Sequence, residues 1–157
     1  MTNSVYIETT IPNMYYEERV DAETVARRHW TRYWWDGESA DYRLLTSAAV
    51  VEELSRGEHP NKDDKIALIS SLPLLSIEND VIEIVEVYIE NLVMPKDPAG
   101  DALHLALASY YKVDYLLTWN CSHLANANKF QHVRRVNTKL GLFTPALITP
   151  LNLLGDM

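Results

Sequence analysis

Short apolar runs rich in β-branched and aromatic residues alternate with longer stretches of helical periodicity along the 157-residue chain. Val5-Tyr6-Ile7 reads as a buried strand ended by the polar Glu8-Thr9-Thr10. Further strands are expected at Arg43-Leu44-Leu45-Thr46, Leu74-Leu75-Ser76-Ile77, Tyr115-Leu116-Leu117-Thr118 and Ala146-Leu147-Ile148. Helical spacing predicts helices over 21–35, 65–72 and 79–93. Another is expected from the N-cap Ser47 to Arg56, closed by Gly57, and one from Asp97-Pro98 to about 112. Ser122 is the expected cap of a last helix ending at Leu140, before Gly141. Strands that alternate with helices pair in parallel. The expectation is an α/β fold, one domain over residues 1–157, with a central, mostly parallel sheet of four to five strands. Ligands bind such sheets at the carboxyl ends of the strands.

Composition narrows the function classes. Hydrophobic residues are 47% of the chain, enough for a real core. The five glycines and seven prolines leave no long flexible linker. No apolar run reaches the roughly 18 residues that span a bilayer, and the N-terminus lacks the pattern of a secretory signal. A single cysteine, Cys121, excludes an internal disulfide and a cysteine zinc cage, so a cytoplasmic location is expected. With 14 basic against 22 acidic residues the net charge is −8. That argues against a protein that grips nucleic acid mainly by bulk positive charge. It permits an enzyme that reaches phosphates through carboxylate-held metal.

Three acidic residues fall where the strand-end rule directs attention. Glu8 ends the first strand, Glu53 lies in the second turn of the helix after the second strand, and Asp101 opens the most apolar helix, with His104 three residues on. Singly, each has an ordinary explanation: a solvated strand end, an exposed Glu52-Glu53 pair, or a carboxylate at its own helix N-terminus. An ionised carboxylate in an apolar helix is expensive unless compensated. No Arg or Lys stands beside Glu8 or Asp101 in sequence. Oxygen-rich clusters of this kind suit Mg²⁺ or Mn²⁺.

Four stretches together carry a resemblance: Val5-Tyr6-Ile7-Glu8-Thr9-Thr10, Ser47-Ala48-Ala49-Val50-Val51-Glu52-Glu53-Leu54, Asp101-Ala102-Leu103-His104-Leu105-Ala106-Leu107-Ala108, and Tyr115-Leu116-Leu117-Thr118-Trp119-Asn120. In this order and spacing the chain resembles the PIN-domain family, nucleases that include the toxins of VapBC toxin–antitoxin pairs. The resemblance implies a three-layer α/β/α domain and a metal site of three or four acidic residues. Glu8 matches the family's first-strand aspartate, Glu53 its glutamate, and Asp101 the aspartate of the buried helix. A fourth family aspartate is replaced by Asn120, which can offer a carbonyl oxygen to a cation or orient a water but brings no charge. Glu8 in place of aspartate is the second departure, and Asp97 is a candidate for compensating charge.

The function expected on this basis is metal-dependent endoribonuclease. Glu8, Glu53 and Asp101 would hold Mg²⁺ or Mn²⁺, Asn120 would complete the catalytic group, and RNA would be the substrate. The expected partners are an antitoxin protein and a second copy of the chain. The rival reading is a PIN fold with an impaired metal site that binds RNA or protein without cleavage. A metal-dependent phosphatase on another α/β fold is disfavoured, because the first strand lacks an Asp-x-Asp pair. Cys121 and His123 lack the setting of a nucleophile and base. His123 and Asn126 are candidates for substrate contact.

Two surface expectations remain. Arg27-Arg28-Arg32 and Arg134-Arg135-Lys139 are modest basic clusters, each readable as a solvated helix face. On the 21–35 helix, Ala22, Val25, Ala26, His29 and Tyr33 share one stripe, the expected core face. Trp35 and the flank of Trp34 then point elsewhere, either under another segment or into a protein interface.

Overall fold

The computed structural model describes residues 2–94 and 100–155. Five strands, β1 (Ser4–Ile7), β2 (Arg43–Ser47), β3 (Leu74–Leu75), β4 (Tyr115–Leu117) and β5 (Ala146–Ile148), form one sheet in the order β3-β2-β1-β4-β5. Every pairing is parallel, with Tyr6 opposite Leu45 on one side and Leu116 on the other. Around the sheet lie α1 (Thr10–Tyr15), α2 (Ala22–Gly37), α3 (Ala48–Ser55), α4 (Lys62–Ile69), α5 (Asn79–Glu90), α6 (Asp101–Tyr110), α7 (Ala127–Leu140) and α8 (Pro150–Leu153). The expected α/β class with a central parallel sheet and helices on either side is observed.

β1 is central because all four of its residues can be buried, as a parallel strand covered on both faces requires. α6 is buried nearly all round, through Ala102, Leu105, Ala106, Leu107 and Ala108. It packs on α5, which buries Val81, Ile84, Val85 and Tyr88. α7 is tied to this pair by a fully buried polar knot. The Tyr88 hydroxyl donates to Asn137 Oδ1 at 2.6 Å, and Asn137 Nδ2 donates to Ser109 Oγ at 3.0 Å. Buried polar atoms satisfied this way fix one helix arrangement over its alternatives.

Several expectations need correction. The inward face of α2 is Thr24, Thr31 and Trp34, whereas Val25 and Tyr33 are exposed. Trp34 is fully buried, edge-on to Trp35 and against Tyr42. Of the two tryptophans expected off the core stripe, Trp34 is core and Trp35 is partly buried against it. The apolar side chains that reach solvent belong to the stripe first read as core.

α5 stops at Glu90, and Leu92 (φ 56°) is exposed while Val93 and Met94 turn inward. A residue in the left-handed region reverses the chain, so the expected helical stripe cannot continue through Leu92. β3 is shorter than expected, and α4 begins three residues earlier, after Asn61 in the left-handed region. Ser122 does not cap α7. Asn126 does, accepting from Asn128 N, and Gly141 (φ 70°) ends the helix as expected. α6 begins at Asp101, and Asp97-Pro98 lies outside the described residues. The short helices α1 and α8 had no sequence expectation.

Candidate metal centre

The carboxyl ends of β1, β2 and β4 converge on the start of α6. Glu8 follows β1 directly. Ser47 ends β2 and opens α3, which carries Glu53 one and a half turns on. Thr118, Trp119 and Asn120 follow β4, and Asp101 and His104 sit on the first turns of α6. Glu8, Glu53 and His104 each present one ligand-type atom, and these lie within 4.8 Å of one another. Asp101 is outside that tight group but near enough to interact electrostatically with Glu53 and His104. The sequence placed Glu8, Glu53, Asp101 and Asn120 at one strand end, and the structure brings them to one neighbourhood.

Glu8 is almost fully buried and makes no ion pair with a lysine or arginine among the described residues. Its Oε1 accepts from the Thr10 hydroxyl and backbone N–H (the latter at 3.0 Å) and from Thr118 Oγ1 at 2.7 Å. Burial pushes its pKa up, and the nearby His104 charge with the threonine bonds offsets only part of this. Oε2 takes no hydrogen bond among the described residues. The Thr10 hydroxyl also accepts the Trp119 N–H at 2.8 Å, locking the β1 end to the β4 end.

Glu53 behaves oppositely. Partial burial pushes its carboxyl up, but the bond to His104, the His104 charge and the Thr9 hydroxyl bring it below the ordinary value. His104 Nε2 donates to Glu53 Oε1 at 2.8 Å, and Thr9 Oγ1 donates to Oε2 at 2.7 Å.

His104 is the residue the sequence reading mentioned but did not place in the site. It is 1% exposed, with both ring nitrogens engaged. Nδ1 lies 2.7 Å from the Tyr6 hydroxyl, which in turn lies 2.7 Å from Ser47 Oγ. Burial alone would push the imidazole down, yet the Glu53 bond and the charges of Glu8, Glu53 and Asp101 push it further up. A protonated His104 donates at both nitrogens, Nε2–H to Glu53 and Nδ1–H to the Tyr6 oxygen, whose own O–H then donates to Ser47 Oγ. Ser47 Oγ bonds Tyr6 and makes no side-chain cap on α3. The available signal was a histidine inside an otherwise apolar helix, because a buried imidazole must find partners.

Asn120 lies beside Asp101. Its Nδ2 donates to Asp101 Oδ1 at 2.9 Å, and its Oδ1 accepts the His123 backbone N–H at 3.0 Å. The carbonyl oxygen thereby helps to fold the 120–123 turn. Asp101 is half-buried, and burial raises its pKa against the lowering effects of Asn120, His123 and His104.

Three acidic side chains and one histidine thus share one neighbourhood. Glu8 Oε2 and Asp101 Oδ2, which take no hydrogen bond among the described residues, are hard oxygen donors, the type Mg²⁺ and Mn²⁺ take. His104 has no free nitrogen, so its place is behind Glu53, orienting it.

No known protein family matches this chain in comparison, and no curated protein matches it either.

Proposed function

We propose that the chain is a PIN-type, metal-dependent endoribonuclease. The observation that supports this best is the clustering of Glu8, Glu53 and Asp101 around one buried histidine, at the carboxyl end of a parallel sheet. A bound Mg²⁺ or Mn²⁺ would supply Lewis acidity at a phosphate oxygen and an ionised water as nucleophile. The protein's own work is to hold the ligands still. Thr10 and Thr118 fix Glu8, Thr9 and His104 fix Glu53, and Asn120 fixes Asp101. That the substrate is RNA rests on the resemblance of the four sequence stretches.

The amide at Asn120 supports a second reading, in which the protein binds RNA or a protein without useful cleavage. A carboxylate there would have added a fourth charge. An antitoxin and a second copy of the chain remain proposed partners. The buried Trp34 gives them no support, and no helix among the described residues is long and apolar enough to cross a membrane.

Incubating the protein with single-stranded RNA and Mn²⁺, with and without chelator, separates the readings. Chelator-sensitive cleavage that is lost in Glu53→Gln is the expected result. Binding without cleavage at any Mn²⁺ concentration would favour the second reading.

A further inference from the structure

Tyr6 stands in the central strand β1, with Leu45 and Leu116 beside it in register, and is fully buried. Phenylalanine would fill that place without bringing a polar atom into the core. The hydroxyl instead meets two partners at once, Ser47 Oγ and His104 Nδ1, each at 2.7 Å. Burial pushes the Tyr6 phenol far up, so it stays protonated at ordinary pH and always has one hydrogen to give. Its oxygen accepts as well.

The two hydroxyls suit either state of the histidine. Against a protonated ring, Tyr6 accepts from Nδ1–H and donates to Ser47 Oγ. Against a neutral ring the direction reverses: Ser47 donates to Tyr6, and Tyr6 donates to Nδ1. Glu53 is held below the ordinary carboxylate value, so it accepts and does not donate. Nε2 therefore keeps its hydrogen toward Glu53 Oε1 in both arrangements. The ring is clamped at both nitrogens, by the strand ends of β1 and β2 on one side and by Glu53 on the other. A glutamate side chain turns about three torsions, and a donor behind a ligand settles which way it faces.

We propose that Tyr6 is a positioning residue of the acidic centre: with Ser47 behind it, its hydroxyl fixes the His104 ring, and the ring fixes how Glu53 presents its carboxylate to a divalent cation. This rests on the metal-centre reading for what Glu53 faces. It makes its own claim, that a hydroxyl which touches neither the cation nor the carboxylate sets the affinity for the cation.

The test is Tyr6→Phe in the full chain, with Mn²⁺ affinity measured by titration calorimetry at one pH. In chelator, the long-range ¹H–¹⁵N spectrum of the histidine rings reports the His104 nitrogens, and urea unfolding reports stability. Val81→Ala is the structural control. Val81 lies at the start of α5, where Asp80 meets Tyr110 at the end of α6 remote from Asp101. Tyr6→Phe should bind Mn²⁺ about tenfold or more weakly, within the 10–100-fold typical of losing a group behind a ligand, and the His104 Nδ1 signal should move. Ser47→Ala should weaken binding less, because Tyr6 still reaches Nδ1. Val81→Ala should lose stability and keep the wild-type Mn²⁺ affinity. If Tyr6→Phe does the same, Tyr6 is only a packing residue and the proposal is overturned, even where wild type cleaves RNA. A wild type that binds no Mn²⁺ would overturn it together with the metal reading. Weakened binding in Tyr6→Phe, beside a wild type that binds Mn²⁺ and cleaves no RNA, would keep the positioning role and remove the nuclease reading.

Discussion

Asn120 Nδ2 donates to Asp101 Oδ1 across 2.9 Å, while Asn120 Oδ1 is held by the backbone N–H of His123. The amide therefore has its donor end toward the carboxylate and its acceptor end toward the loop. Asn120→Asp turns that donor into a second anionic oxygen facing Asp101 in a partly desolvated setting, where like charges repel. The metal-free variant should melt below wild type, and Mn²⁺ should raise its melting temperature by more than it raises that of wild type. Thermal melts in chelator and across a Mn²⁺ titration check this. An unchanged melting temperature in chelator would mean the two groups do not oppose each other.

Asp101→Asn tests the opposite change. The asparagine still accepts from Asn120 but removes one of three carboxylates crowded around His104. Burial already raises the Asp101 pKa, so the metal-free fold should keep or slightly gain stability. Mn²⁺-dependent cleavage should fall by more than the about 10–100-fold typical of losing a supporting group. Cleavage at the wild-type rate would remove Asp101 from the site.

The pH dependence of stability follows from the same cluster. His104 binds its proton more tightly folded than unfolded. Its contribution is full below the ordinary imidazole value of about 6.5 and is lost as pH rises through the higher folded value. Glu8 and Asp101 are also raised, so they too weaken the metal-free fold as pH climbs past the ordinary carboxylate range. Glu53, lowered, contributes stability that is lost only as pH falls through its depressed value. Metal-free protein should therefore melt at a lower temperature near pH 8 than near pH 6. His104→Gln should flatten that difference, and Mn²⁺ should reverse it, because protons compete with the metal for the carboxylates. A wild-type melting curve independent of pH in chelator would contradict the protonated His104.

Much of the fold was legible because buried parallel strands and amphipathic helices write their periods into the chain. Val5-Tyr6-Ile7 and the 81-84-85-88 stripe of α5 are examples. The faces of α2 were not, because periodicity weighs each residue by hydrophobicity alone. The buried face uses Thr24 and Thr31, whose hydroxyls find local acceptors in Asp21 and the Arg27 carbonyl. Meanwhile Val25 and Tyr33 are left outside. The site carboxylates were legible because charge in apolar surroundings needs an explanation. The Ser47–Tyr6–His104–Glu53 chain was not, since its members are up to 98 residues apart and only the sheet register unites them.

Trp34 carries the last prediction. Its ring, on α2, is fully buried against Trp35 and Tyr42, and its Nε1 has no hydrogen-bond partner among the described residues. Two effects then oppose each other. The ring's volume stabilises, since truncating a buried Trp to Ala costs about 3–5 kcal/mol. The unpaired N–H destabilises, since a buried donor left unsatisfied costs about 1–3 kcal/mol. Trp34→Ala should therefore lower unfolding stability by several kcal/mol, whereas Trp34→Phe should lie within about 1.5 kcal/mol of wild type, the range of well-tolerated core exchanges. Urea unfolding followed by circular dichroism measures both, and sedimentation of the folded variants should show the wild-type mass. A Trp34→Phe loss as large as that of Trp34→Ala would show that the indole N–H has a partner. A change of mass in the folded variants would return the tryptophan to an interface.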